Sequence, residues 1–238
     1  WRRWEGAWWV RPPSPKSNVF VEYVGGGGAG VPGVARSGGG WWRVPDDFAL
    51  LHRGGDEESV TVSALARPLR VYQPRAVRFA VSRGRVLIAD SMRLGKTTEA
   101  LAAATTLSGP ERAGEGESAR WLAFVPASKL WDWAEECALV VPGDRGTSTA
   151  LLRGARPPES ASTSAWLSIV NYEVLAGWAS WLLAVLRPSG VILDESVYVK
   201  GRKSSRTKAA MAVCDSARWV LALSGMPVEN RPSDLWAQ

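Results

Sequence analysis

From Leu69 onward the apolar residues of this chain come in short, nearly continuous runs, and the stretches between them carry apolar residues at three- and four-residue spacing. Continuous runs bounded by Gly, Pro or polar loops read as strands buried on both faces, and the spaced pattern reads as amphipathic helix. Strands are therefore expected over 85–89, 121–125, 165–172, 190–193 and 219–223, and helices over 76–81, 98–106, 128–141, 173–186 and 203–215. The alternation predicts an α/β fold, a mostly parallel sheet with helices on both faces. Ligands of such sheets sit at the carboxyl ends of the strands.

Residues 1–66 have another texture. Trp1-Arg2-Arg3-Trp4 and Trp8-Trp9 open the segment, glycine runs follow at 25–28 and 38–40, and Asp56-Glu57-Glu58 comes near its end. This composition predicts a Gly/Trp/Pro-rich, largely irregular segment of low order, ahead of an ordered domain over 67–238. Gly25, Gly27 and Gly30 have the spacing of a dinucleotide-binding turn, but Pro32 and more glycine follow where that turn needs a helix, so no dinucleotide site is expected. The Trp/Arg mixture has the chemistry for stacking on single-stranded bases, and a poorly ordered terminus is the simpler reading.

Composition narrows the function classes. At 46% hydrophobic the chain has enough apolar material for a sizeable core. A net charge of +6 favours an anionic partner, nucleic acid ahead of a membrane surface. One histidine, His52, leaves almost nothing for a histidine metal site or a Ser-His-Asp triad. Cys137 and Cys214 lie far apart inside expected helices with no CxxC spacing, which suits a reducing compartment. The longest apolar run, 174–186, is too short to span a bilayer, and no signal peptide precedes it, so no membrane partner is expected.

Two stretches carry chemistry. The run 86–89 ends in a loop bearing Gly95-Lys96-Thr97, and an Ala-rich helix follows at once. Strand, loop and helix in this order form a phosphate loop: a helix N-terminus offers unpaired N–H groups and a positive dipole to polyphosphate. Leu94, Gly95, Lys96, Thr97 and Thr98 would hold the nucleotide, with Lys96 on the outer phosphates and the Thr97 hydroxyl on magnesium. The strict loop pattern wants glycine where this chain has Asp90. Downstream, Val191-Ile192-Leu193 delivers Asp194-Glu195 to the same end of the sheet. Asp194 would bind Mg2+, directly or through water, and Glu195 would orient and polarise the attacking water. ATP and Mg2+ are the implied cofactors.

With these blocks in order, the chain resembles the first, ATP-binding RecA-like lobe of the SNF2 family of DNA translocases in helicase superfamily 2. LRVYQPRAVRFAVSRGRVLIADSMRLGKT is similar to the family's adenine-reading segment and phosphate loop, VPASKLWDWAEE to its motif Ia, SIVNYEVL to the next block, VILDESVYVKGRKSSRTKAAMAV to motif II, and LALSGMPVENRPSDLW to motif III. The DES-x-Y-x-K form leans toward the annealing-helicase, HARP-like branch. The resemblance implies a DNA-dependent ATPase acting on duplex or forked DNA, in DNA repair, fork restart or chromatin remodelling, in a nucleus or, in a prokaryote, in the cytoplasm. It implies that Gln73 reads adenine, that Lys96, Asp194 and Glu195 serve hydrolysis, and that Pro126, Ala127, Ser128, Lys129, Asn171 and Tyr172 lie along the DNA backbone. Ser128 also reads as a helix N-cap, which is compatible with a phosphate contact. Lys200, Arg202, Lys203, Arg206 and Lys208 form a basic cluster that a solvated helix face explains as well as DNA does. A second RecA-like lobe, bearing the arginine finger, is expected beyond Gln238.

Four positions depart from the family pattern: Arg93 stands for glycine, Ser91 for glutamate, Val197 for histidine and Met226 for threonine. If that glycine needs positive φ, Arg93 costs about 1 to 3 kcal/mol of backbone strain. Val197 and Met226 are expected to face each other, turning a polar relay into a packing contact. The rival reading is a catalytically impaired phosphate-loop scaffold that binds DNA or protein without turnover. A phosphate-loop NTPase acting on something other than DNA is a third.

Overall fold

The structure, a computed structural model, describes residues 60–90, 93–109, 119–157, 164–201 and 204–225, and the backbone of four short strands nearer the N-terminus. The chain divides into two units, Trp1–Gly55 and Asp56–Gln238. In the first, β1 (Arg2–Trp4), β2 (Ala7–Val10), β3 (Ala35–Arg36) and β4 (Trp42–Val44) pair antiparallel in the order β1-β2-β4-β3. Strands of two to four residues carry too little periodicity to be read from sequence. The glycine-spaced turn at Gly25, Gly27 and Gly30 lies outside the described residues.

The second unit begins at Asp56, ahead of the composition shift near residue 66. Val60 is buried in its core. The Ser63 amide donates to Thr106 Oγ1 at 3.1 Å and the Ala66 amide to the Val140 carbonyl at 2.9 Å. Hydrogen bonds to distant partners leave no trace in local composition, so this stretch reads as linker while being tied down.

Six strands form the sheet of this unit: β5 (Arg85–Ile88), β6 (Trp121–Val125), β7 (Thr149–Leu152), β8 (Leu167–Asn171), β9 (Gly190–Leu193) and β10 (Trp219–Leu223). Their order is β5-β10-β9-β6-β8-β7, and every pairing is parallel. Helix α1 (Gln73–Arg83) leads into β5; parallel pairing then demands crossovers, and α2 (Lys96–Leu107), α3 (Leu130–Val140), α4 (Asp144–Thr147), α5 (Leu175–Trp181) and α6 (Ser205–Ser216) lie in them.

The apolar runs divide between two cores. On one face Trp121, Ala123, Val125, Ile192, Leu221 and Leu223 meet α1, α2 and α3; on the other Leu122, Phe124, Val191, Leu193, Val220 and Ala222 meet α5 and α6. Alternate residues of each strand thus serve opposite cores, and each fully buried Leu, Ile or Phe stabilises the fold by about 1.5 to 3 kcal/mol. Gly190 opens β9 between the registers of Trp121 and Trp219, whose rings stack at 5.7 Å. A Cβ there would stand 2.4 Å from the Trp121 ring, so only glycine lets the two indoles close over the strand.

Trp121–Val125, Gly190–Leu193 and Trp219–Leu223 fall as the apolar pattern predicts. Among the elements that differ, three have a clear physical reason. β7 has no counterpart in the pattern because it is a short, half-buried edge strand. The stretch expected as one helix over 173–186 widens into a π turn at Leu182–Leu186, closed by the Arg187 amide on the Leu182 carbonyl. Finally, α1 extends back to Gln73 because Pro74 sits in its first turn, where no amide donor is required. Among the described residues no helix is long and apolar enough to cross a membrane.

Candidate active site

β5 and β9 flank β10, with Ile88 opposite Leu223 and Leu193 opposite Ala222. The loops that leave their carboxyl ends are therefore separated by one strand, roughly 10 Å across the sheet. The first leads to Gly95 and Lys96, the second to Asp194 and Glu195. Burial pushes the Asp194 carboxyl above its usual range, while the Trp133 and Glu195 N–H groups and the charges of Lys96 and Lys129 draw it back. Lys96 and Asp194, 98 positions apart in the chain, thus share one electrostatic neighbourhood at one rim.

The phosphate loop is held from below. Gly95 has φ 88° and starts α2 without a side-chain cap. A Cβ at Gly95 would come within 2.7 Å of Gln73 Nε2. The Lys96 ammonium, almost fully buried, donates to the Asp90 carbonyl at 2.9 Å. The Tyr72 hydroxyl donates to the Leu94 carbonyl at 2.9 Å. Gln73 Nε2 donates to the carbonyls of Leu94 at 3.3 Å and Gly95 at 3.2 Å, and its Oε1 accepts the Arg70 amide at 2.9 Å. In this arrangement Gln73 braces the loop, and both donors of its amide are engaged there rather than offered to a base.

Thr97 is half-buried beside Lys96. Thr98 points elsewhere: its hydroxyl donates to Glu136, which also pairs with Arg67, so it ties α2 to α3 instead of facing phosphate. Arg93 adopts φ 66°, the left-handed conformation for which glycine is suited. Ser91 and Met92 lie outside the described residues. Glu99, one turn into α2, is fully buried, and neither carboxylate oxygen has a hydrogen-bond partner. Burial and the neighbouring Asp90 carboxylate push its pKa up to about 7, so at neutral pH it is poised to carry the proton that would let it donate to Asp90.

The acidic loop is built differently. The Asp194 amide donates to the Phe124 carbonyl at 2.8 Å, the Tyr172 hydroxyl donates to the Asp194 carbonyl at 2.8 Å, and the Trp133 indole N–H donates to Asp194 Oδ2 at 2.9 Å. Glu195 follows at φ 48° and turns the chain into the 3₁₀ segment Ser196–Val199. Trp133 carries no expected role, yet the buried face of α3, Trp133, Cys137 and Val140, has the four- and three-residue spacing that marks it as inward. A buried indole N–H needs an acceptor, and that requirement was the signal available in the sequence.

The expected DNA-facing residues separate into two kinds. Ser128 and Lys129 are exposed in the 3₁₀ turn Ala127–Lys129 at the carboxyl end of β6, and no side chain caps α3, so Ser128 is not its N-cap. Lys129 pairs with Asp132 at 2.7 Å, and that hydrogen bond and charge raise its pKa. Asn171 ends β8 half-buried and donates to Glu173 Oε2 at 2.7 Å. Tyr172 departs from the expectation. It is fully buried, stacked on Tyr198 at 5.1 Å and bound to Asp194, so it has no surface to offer a duplex. In the basic cluster Arg206 lies over the Tyr198 ring at 5.6 Å, Lys208 is exposed, and Arg202 and Lys203 lie outside the described residues. Val197 is half-buried; Met226, its expected counterpart, is outside the described residues. No cluster of three or more His, Cys, Asp or Glu suited to a metal occurs among the described residues.

Over 179 residues the chain is 35% identical to the SWI/SNF-related matrix-associated actin-dependent regulator of chromatin subfamily A-like protein 1 of Xenopus tropicalis, covering 74% of this chain and 17% of that protein. It is 29% identical over 178 residues to the human DNA annealing helicase and endonuclease ZRANB3, covering 73% of this chain and 16% of the relative. The chain therefore spans about one-sixth of the length of these relatives. In fold it is similar to the Sulfolobus solfataricus SWI2/SNF2 ATPase core solved in complex with dsDNA, with a TM-score of 0.62 and 22% identity, covering 75% of this chain and 36% of that one. The SNF2-related domain model matches residues 72–238, and the chain belongs to that family.

Proposed function

We propose that residues 67–238 are the ATP-binding lobe of a DNA-dependent ATPase of the annealing-helicase type, acting on duplex or forked DNA in the nucleus. The single observation that carries this reading is the convergence of Lys96 and Asp194 at the carboxyl ends of β5 and β9. A buried cation, a helix N-terminus and a partly desolvated carboxylate are the groups that a metal-bound triphosphate requires. The relatives' names, one a regulator of chromatin and the other a DNA annealing helicase, support the DNA assignment.

In this reading the first-turn amides of α2 and the Lys96 ammonium bind the phosphates, and Lys96 exchanges the Asp90 carbonyl for them. Thr97 and Asp194 would hold Mg2+, which would neutralise charge on the phosphate oxygens. Glu195 orients and polarises the attacking water. Ser128, Lys129 and Asn171, at the carboxyl ends of β6 and β8, meet the DNA backbone. A second RecA-like lobe would complete hydrolysis.

Titration with Mg2+·ATP tests the reading. Lys96→Ala leaves a desolvated phosphate site without its cation, and affinity should fall at least about 30-fold. Equal affinity in the variant, or no binding at millimolar ATP by the unaltered chain, would instead support the scaffold. In parallel, affinity for a DNA duplex should fall linearly on a log–log plot against salt. A flat salt dependence would remove DNA from the proposal.

A further inference from the structure

Asp194 is restrained in two ways. Its main chain is pinned on both sides, by its own amide on the Phe124 carbonyl and by the Tyr172 hydroxyl on its carbonyl, each at 2.8 Å. Only the side-chain torsions remain free, and one carboxylate oxygen, Oδ2, accepts the Trp133 indole N–H at 2.9 Å. Trp133 is itself 1% exposed, locked in the core formed by α2, α3 and the sheet. Its orientation is set by packing, so the direction of the Asp194 carboxylate is set by packing too.

The identity of the donor matters. A lysine or arginine in this position would compete with a cation for the carboxylate. An indole N–H holds one oxygen in place and leaves the negative charge intact. Trp133 also lies four residues beyond Lys129, one helical turn from the exposed 3₁₀ turn at the head of α3. The same helix therefore carries a rim residue at its start and the clamp on the acidic loop one turn later.

We infer that Trp133 is a positioning residue for the Asp194 carboxylate: its indole N–H holds the acid in the orientation that binds the metal, and so sets the metal-dependent part of nucleotide affinity. The inference rests on the ATP and Mg2+ reading above and adds to it a residue whose buried position otherwise reads as packing.

The test compares ATP affinity in the presence of EDTA with affinity in the presence of Mg2+, for the unaltered chain and for two variants. Trp133→Phe removes the donor and part of the ring. Incorporating β-(3-benzothienyl)alanine at position 133 replaces the N–H with sulfur and keeps the bicyclic shape, so the question stays answerable if the Phe variant does not fold. The Mg2+-dependent gain in affinity should drop about 10-fold in the variants, the usual cost of losing an outer partner of a metal ligand. Affinity for metal-free ATP should change far less. A second readout is the Trp133 indole N–H resonance, identified by its loss in the Phe variant, which should move on addition of Mg2+·ATP and hold its position with metal-free ATP. An unchanged Mg2+-dependent gain in the benzothienyl variant overturns the inference, and so do equal losses with and without metal, which indicate packing alone. An unaltered chain that gains nothing from Mg2+ overturns the ATP and Mg2+ reading itself, a result separable from the other two.

Discussion

The two loops that flank the carboxyl end of β10 are built on opposite principles. After β9, Asp194 has its amide, its carbonyl and one carboxylate oxygen assigned to Phe124, Tyr172 and Trp133, three partners from two other strands' ends and a helix. After β5, the phosphate loop contains Arg93 in a left-handed conformation and sits over Glu99, a buried carboxylate with no donor. Side chains of the core and of a neighbouring strand end hold the acidic loop, whereas Tyr72 and Gln73 at the head of α1 brace the phosphate loop, and each loop carries one non-glycine residue in the left-handed region, Glu195 and Arg93. A fold can thus keep its framework intact while each loop of its site holds one residue in a conformation better suited to glycine.

Three substitutions sharpen that contrast. The largest effect belongs to the well-supported side: Trp133→Ala opens a cavity in the core and should cost about 3 to 5 kcal/mol in denaturant unfolding. A cost under about 1 kcal/mol would show that the clamp on Asp194 is not built into the core.

Glu99→Gln acts on the other loop and in the opposite direction. The folded pKa is about 7 against an ordinary value of 4.5, so the unfolded chain gives up the proton first as pH rises. Folded-state stability is therefore lost between about pH 4.5 and 7, up to about 3 kcal/mol, and stays lost above that. Glutamine has nothing to titrate. The variant should match the unaltered chain near pH 4 and exceed it by up to about 3 kcal/mol at pH 8, by thermal or denaturant unfolding. A difference that does not depend on pH would mean that Glu99 has found a partner for its charge.

Arg93→Gly is the smallest. Relief of left-handed strain should stabilise the chain by about 1 kcal/mol, less the greater flexibility glycine gives the unfolded state. If Arg93 also crowds the phosphates, Mg2+·ATP affinity should rise in the same variant. Weaker binding would mean that the guanidinium contributes charge to the site.

Legibility in the sequence followed the same division. The central strands are readable because both their faces are buried, which makes each a continuous apolar run such as Trp121–Val125. β7 is an edge strand and half-exposed, so its four residues leave no such mark. Lys96 and Asp194 are recognisable because their spacing from a strand end is local. The roles of Trp133, Tyr172 and Glu99 are not, since each depends on a partner or a burial that only the folded sheet creates. Gln73 and Thr98 were expected to face nucleotide, and both are instead engaged with protein groups, Gln73 with the loop carbonyls and Thr98 with Glu136.

Lys96 and Asp194, from distant parts of the chain, are proposed to serve one metal-bound triphosphate. Crystals grown with Mn2+ and a non-hydrolysable ATP analogue would locate the ion by its anomalous scattering. One manganese peak is expected between the nucleotide phosphates and the Thr97 and Asp194 side chains, with the Lys96 ammonium moved from the Asp90 carbonyl to phosphate. A nucleotide bound with its metal remote from Asp194, or with Lys96 still on Asp90, would contradict it.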